Sequence, residues 1–221
     1  MISENLSKVK ANLPSDVQLV AVSKTKPNEA ILEAYETGHR VFGENRVQEL
    51  TDKYEALPKD IEWHMIGNLQ TNKVKYIAPF VTMIHGVDSY KLLQEINKRA
   101  KNTNRIIDVL IQFHIAQEDS KSGFNFDEAK EMLEDQEFAL LENINVRGVM
   151  GMATFTDNKE QIQDEFRTLN NYFQIFKSHF FKFNDSFSVV SMGMSGDYEI
   201  AIEEGSNMVR IGSTIFGGRN T

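Results

Sequence analysis

Strand-like and helix-like stretches alternate along this chain, and that alternation limits its fold more than any single motif does. Short apolar runs bounded by breakers read as strands at 17–25, 40–45, 61–66, 81–87, 105–113, 144–150, 186–191 and 207–211. Most are followed by apolar residues at helical spacing. Ala30, Ile31, Ala34 and Tyr35 follow the first, with Gly38 as the stop; Val47, Leu50, Tyr54 and Leu57 follow the second, closed by Pro58. Val74 and Ile77 follow the third. Leu92, Leu93 and Ile96 follow the fourth, behind Asp88 and Ser89 as N-caps. The loop 117–123 leads to a helix capped by Asp127 and ending near Leu141. A long stripe from Ile162 to Phe180 and a short helix through Ile200 and Ala201 complete the set. Leu6, Val9 and Leu13 predict one further helix over 3–12.

Alternation of this kind implies parallel strands joined by helical crossovers. Eight such units in about 200 residues is the count of a (β/α)8 TIM-type barrel, at the short end of its size range. A doubly wound open sheet is the alternative, with fewer strands. No linker or repeat interrupts the pattern, so residues 1–221 are expected to form a single domain.

Of the 221 residues 41% are hydrophobic, enough for one large core. A formal net charge of −8 argues against nucleic-acid binding, which asks for a basic face. With no cysteine, disulfides, thiolate ligands and thiol nucleophiles are ruled out. The polar N-terminus lacks the apolar core of a secretory signal, and no apolar run reaches the length of a membrane span. A cytoplasmic protein without membrane partners is expected. With no clear apolar patch on the helices, a monomer is the default.

In a (β/α)8 barrel the working face is the C-terminal end of the strands, with phosphate often held after strands seven and eight. Here the first strand, expected to stop at Thr25 or Lys26 before Pro27, delivers Lys24 to that face. After strand seven, Met194-Ser195-Gly196 leads into a helix whose first N–H groups and dipole favour an anion. After strand eight come Gly212-Ser213-Thr214. Each feature alone has a bland reading: a lysine reaching solvent, two ordinary turns. Strand eight adjoins strand one in a closed barrel, so Lys24, Arg210 and both turns would share one mouth. A deprotonated lysine amine forms a Schiff base with a carbonyl. A ligand with an aldehyde and a phosphate fits, and pyridoxal 5′-phosphate (PLP) is the obvious member. A phosphorylated ketose held by a Schiff-base aldolase fits the same groups.

Five segments, in order, resemble the pyridoxal phosphate homeostasis proteins, which are related to the barrel domain of alanine racemase. They are Val-Ala-Val-Ser-Lys-Thr-Lys-Pro (20–27), Phe-Gly-Glu-Asn (42–45), Trp-His-Met-Ile-Gly-Asn-Leu-Gln-Thr-Asn-Lys (63–73), Ser-Met-Gly-Met-Ser (191–195) and Met-Val-Arg-Ile-Gly-Ser-Thr-Ile-Phe-Gly (208–217). The resemblance implies that Lys24, rather than Lys26, holds PLP as a Schiff base. It implies that Ser195, Gly212 and Ser213 cradle the phosphate, that Arg210 faces the pyridine nitrogen and that Asn45 lies close to the ring. His64 matches a motif histidine without an assigned role; for His64 and His85 the residues themselves favour a hydrogen-bonded barrel histidine.

Racemisation through PLP takes an acid and a base on opposite faces of the substrate carbon. In racemases resembling this barrel the second base comes from an appended domain, and this chain ends at Thr221, directly after the expected barrel. An arginine at the ring nitrogen also weakens the electron sink. The expectation is a non-enzymatic carrier and buffer of PLP, with apo forms of PLP-dependent enzymes as candidate recipients. A weak amino-acid racemase is the first alternative and the sugar-phosphate aldolase the second.

Overall fold

The computed structural model describes residues 1–118 and 122–218. Helix α1 (Ile2–Asn12) precedes eight strands: β1 (Gln18–Val22), β2 (Val41–Glu44), β3 (Glu62–Met65), β4 (Met83–Val87), β5 (Ile107–Gln112), β6 (Ile144–Met150), β7 (Val189–Met194) and β8 (Met208–Ile211). Between and after them come α2 (Asn28–Glu36), α3 (Val47–Ala56), α4 (Val74–Ile77), α5 (Tyr90–Asn102), α6 (Phe126–Glu134), α7 (Lys159–His179), α8 (Tyr198–Glu203) and α9 (Ser213–Phe216). The strands pair in parallel in chain order and β8 closes on β1. The closed eight-stranded barrel displaces the open-sheet alternative.

Alternation of side chains across each strand divides the apolar residues into two layers. Val20, Val41, Met83, Leu110, Met150, Val189 and Met208 point inward and fill the barrel. Their neighbours, among them Leu19, Phe42, Trp63, Ile84 and Val209, form the larger core between sheet and helices. Two residues further along β4, β7 and β8 the inward positions turn polar: His85, Ser191 and Arg210. The interior is therefore apolar towards the strands' N-terminal ends and hydrogen-bonding towards the mouth.

Helix α7 buries Ile162, Phe166, Leu169, Phe173 and Phe176, the stripe read from the sequence. Phe173 and Phe181 both stack on Phe187, with centroids 5.1 and 4.1 Å apart. Each fully buried Phe contributes roughly 1.5–3 kcal/mol, so this one helix fastens the β6–β7 side of the barrel. Gly148 is the backbone condition for closure there. Its φ is +154°, and a Cβ would lie 1.8 Å from the Val189 oxygen, so no larger residue fits.

Several boundaries differ from expectation. Helix α6 is capped by Asn125, not Asp127: Asn125 accepts from the Glu128 N–H while Glu128 bonds back to the Asn125 N–H, a complete capping box. It ends at Glu134, and a separate 3-10 turn covers Phe138–Leu140 rather than a continuous helix reaching Leu141. Ser89 alone caps α5. Strand β7 starts at Val189 and runs to Met194, so the segment expected as a loop from Met192 begins inside the barrel wall. Part of the 117–123 loop lies outside the described residues. None of the described helices is long and apolar enough to cross a membrane.

Candidate functional site

Strand β1 stops at Val22, earlier than Pro27 requires, because the chain turns at Thr25. That residue has a φ of +63°, a left-handed conformation rarely taken by β-branched residues. Its N–H is held by Glu49 Oε1 at 2.6 Å. Half-buried Lys24 stands just before this turn and lines a cavity of about 770 Å³ at the C-terminal mouth of the barrel.

All six residues singled out in the sequence line this cavity: Lys24, Asn45, Ser195, Arg210, Gly212 and Ser213. Asn45 follows β2, and its Oδ1 is buried without a hydrogen-bond partner. It is braced by Gly67, where a Cβ would come 2.4 Å from the Asn45 carbonyl oxygen. The turns after β7 and β8 are joined, since the Gly212 N–H donates to Ser195 Oγ at 3.2 Å. Residues Ser213 and Thr214 open α9, where helical N–H groups have no intrahelical acceptor.

One expectation about these turns is corrected. Ser195 and Gly196 do not lead directly into a helix. Asp197 intervenes, and its Oδ1 accepts the Met194 N–H at 2.6 Å. A carboxylate thus sits before the six-residue α8, so the attraction of that turn for an anion rests on hydrogen-bond donors rather than on a helix dipole.

Arg210 is buried and held rigidly. Nη1 donates to Ser191 O (2.9 Å) and Ser191 Oγ (2.6 Å), and Nη2 donates to Gly151 O (3.0 Å). Burial lowers its pKa to about 10, against the pull of Asp197, so it stays cationic at neutral pH. Behind it runs a chain of buried polar groups: Ser191 Oγ lies 3.1 Å from His85 Nδ1, and His85 Nε2 lies 2.9 Å from His64 Nδ1. Ser191 Oγ, which accepts from Arg210, still has both a proton and a lone pair to offer His85 Nδ1. The two imidazoles share a single proton across the His85 Nε2–His64 Nδ1 contact. Burial pushes His64 down to about 3 and His85 well below its ordinary value, so both rings are neutral. The structure thus places both histidines in the hydrogen-bonded barrel interior, behind Arg210 and Ser191 rather than on the cavity wall.

Sequence reasoning missed Gln112, Met152 and Phe155 on the cavity wall. It also missed a buried cluster of Lys53, Glu44 and Glu49 behind the Lys24 turn. The four-residue spacing of Glu49 and Lys53 was visible, but their burial was not.

A family profile described as alanine racemase, N-terminal domain, matches residues 1–220. A pyridoxal phosphate homeostasis protein from Aquifex aeolicus is 44% identical over 204 residues, covering 91% of this chain and 87% of that protein. The chain belongs to the pyridoxal phosphate homeostasis protein family. Similar to it in structure is PipY of Synechococcus elongatus, solved with and without PLP. It is 32% identical, with TM-scores of 0.89 and 0.92, across 98% of this chain and 100% of that one. Alanine racemase from Clostridium difficile, 16% identical with a TM-score of 0.74, covers this whole chain with 56% of its own and shares the fold. The homeostasis proteins and the racemases therefore have one barrel in common.

Proposed function

We propose that this protein binds PLP covalently through Lys24 and serves as a non-enzymatic carrier and buffer of the cofactor. The observation that carries the reading is the meeting of Lys24 with the turns after β7 and β8 on one cavity, although they come from opposite ends of the chain. PLP supplies an aldehyde that an amine can capture reversibly. Lys24 Nζ, once deprotonated, attacks the aldehyde carbon; water leaves and a C=N bond joins the two. Ser195 and Ser213 offer hydroxyls to the phosphate, alongside the N–H groups that open α9, while the Gly212 N–H ties the two turns together. Ser195 Oγ already accepts from Gly212 N–H and keeps its own proton to donate. Asn45 Oδ1, buried and unpartnered, suits a polar group at the edge of the ring. Arg210 has only donors to offer, which suits an unprotonated pyridine nitrogen. The cavity residues fit the cofactor, and a relative of known structure holds it.

The carrier reading rests on the titratable groups of the wall. Among the described residues these are Lys24, Lys26, Asp197 and Arg210. Lys26 Nζ is engaged by the Gly218 oxygen at 2.7 Å, Asp197 holds Met194 N–H, and Arg210 is a permanent cation. Lys24 remains the base for one face of a bound substrate carbon, with no histidine or tyrosine among the described wall residues for the other. A cytoplasmic location and transfer to apo-enzymes belong to the same proposal.

The test is an absorption spectrum of the purified protein with PLP, followed by borohydride reduction and peptide mass spectrometry. A band that bleaches and a pyridoxyl group on Lys24 are expected; no band at any PLP concentration would overturn the reading. Ser195→Ala should weaken PLP binding by about 1.5–3 kcal/mol, the value of one hydrogen bond to a charged group. An unchanged affinity in that variant would remove Ser195 from the phosphate site.

A further inference from the structure

Lys53, on α3, reaches from the helix to the ends of β1 and β2, with only 6% of its side chain exposed. Its three ammonium protons all have partners: Ser23 O at 2.8 Å, Glu44 Oε1 at 2.8 Å and Glu49 Oε1 at 2.7 Å. The same two carboxylate oxygens reach the backbone and side chains around Lys24. Glu49 Oε1 accepts the Thr25 N–H at 2.6 Å, and Glu44 Oε1 accepts Ser23 Oγ–H at 2.6 Å. Both neighbours of Lys24 are therefore tied to one buried ammonium group, while Lys24 itself lines the cavity.

Two physical facts make this more than an ordinary ion pair. A buried salt bridge is an inefficient way to stabilise a fold, since desolvating both charges cancels much of their attraction. A left-handed β-branched residue persists only where its surroundings hold it, and such residues gather at functional sites. Thr25 is that residue, and the cluster is what holds it.

We propose that Lys53, acting through Glu44 and Glu49, is a positioning residue that holds the Ser23–Thr25 turn so that the Lys24 amine is presented to an aldehyde in the cavity. The inference rests on the reading of Lys24 as the residue that captures PLP. It assigns Lys53 no contact with the cofactor.

The test compares PLP with pyridoxine 5′-phosphate, which keeps the ring and phosphate but carries an alcohol in place of the aldehyde. In the full-length protein, Lys53→Met should lower PLP affinity at least tenfold and slow borohydride-trappable capture on Lys24. Binding of pyridoxine 5′-phosphate should stay within twofold. Should Lys53→Met not fold, the partly exposed Glu49 gives a second route. Glu49→Ala, which removes the acceptor of Thr25 N–H, should reproduce the selective loss, and Glu49→Gln, which keeps an acceptor oxygen, should restore most of it. Equal losses for both ligands in the folded variants would make the cluster structural and overturn the proposal, as would no loss for either. Absence of a Lys24 adduct in the unaltered protein would overturn the PLP reading and this inference with it. An adduct in the unaltered protein with no selective loss in the variants would overturn this inference alone.

Discussion

Lys24→Ala is expected to abolish the borohydride-stable pyridoxyl adduct and to lower PLP affinity by about 100-fold, roughly 2.8 kcal/mol at 1.4 kcal/mol per decade. The affinity left over would be non-covalent, carried by the turns at Ser195 and at Gly212 and Ser213, and by Arg210. Lys26, two residues on, is not expected to substitute. The left-handed turn at Thr25 separates the two lysines, and Lys26 Nζ is engaged by the Gly218 oxygen. Titration followed by absorbance, with mass spectrometry of the reduced complex, decides the matter. Full affinity in Lys24→Ala, with the adduct moved to Lys26, would show that the wrong lysine has been assigned.

The second large effect is on stability in mild acid. His39, His64 and His85 are buried, and burial is the main cause that lowers all three: His39 to about 4, His64 to about 3 and His85 well below its usual range. A histidine whose folded pKa is depressed contributes stability above its unfolded pKa of about 6.5, and loses it as pH falls towards the folded value. At pH 5 the unfolded chain binds close to one proton at each site and the folded chain few. His39 and His64 then cost about 2 kcal/mol each, about 4 kcal/mol together, and His85 adds to this in the same direction. Glu44 opposes this: burial raises its pKa, so the folded state takes up its proton first as pH falls. Asp88, also raised by burial, acts in the same direction as Glu44, and the three imidazoles outnumber these two carboxyls. Against a typical total of about 5–15 kcal/mol, a large part of the stability is expected to be lost between pH 6 and 4.5. Urea unfolding followed by the fluorescence of buried Trp63, the single tryptophan, reads this directly. A urea midpoint at pH 5 equal to that at pH 7 would mean that these imidazoles are not held neutral.

How much of this was legible depended on range. Strand and helix periodicity is local, so all eight units could be read, and so could their closure into a barrel. Once the barrel was in view, Lys24, Asn45, Ser195, Arg210, Gly212 and Ser213 had to converge, since they follow or end strands one, two, seven and eight. What could not be read was set by partners far along the chain. Strand β1 ends early because Glu49, 24 residues beyond Thr25, holds the turn. Strand β7 runs on to Met194 because its ladder partner is Arg210 of β8. The ammonium cluster at Lys53 was hidden for the same reason, since a Glu–Lys pair on a helix usually faces water. One difference is local instead: Asn125 and Glu128, three residues apart, form the Asn-x-x-Glu capping box that sets the cap at Asn125 rather than Asp127.

Every acceptor that holds Arg210 is uncharged: a serine hydroxyl and two backbone carbonyls. The floor of the cavity thus carries a positive charge held by neutral acceptors and under the pull of Asp197, in surroundings where fields are weakly screened. An anionic occupant would add a second negative charge facing that guanidinium. Filling the cavity and steadying the barrel would become the same event, and the heat resistance of the protein would report how much of it is loaded.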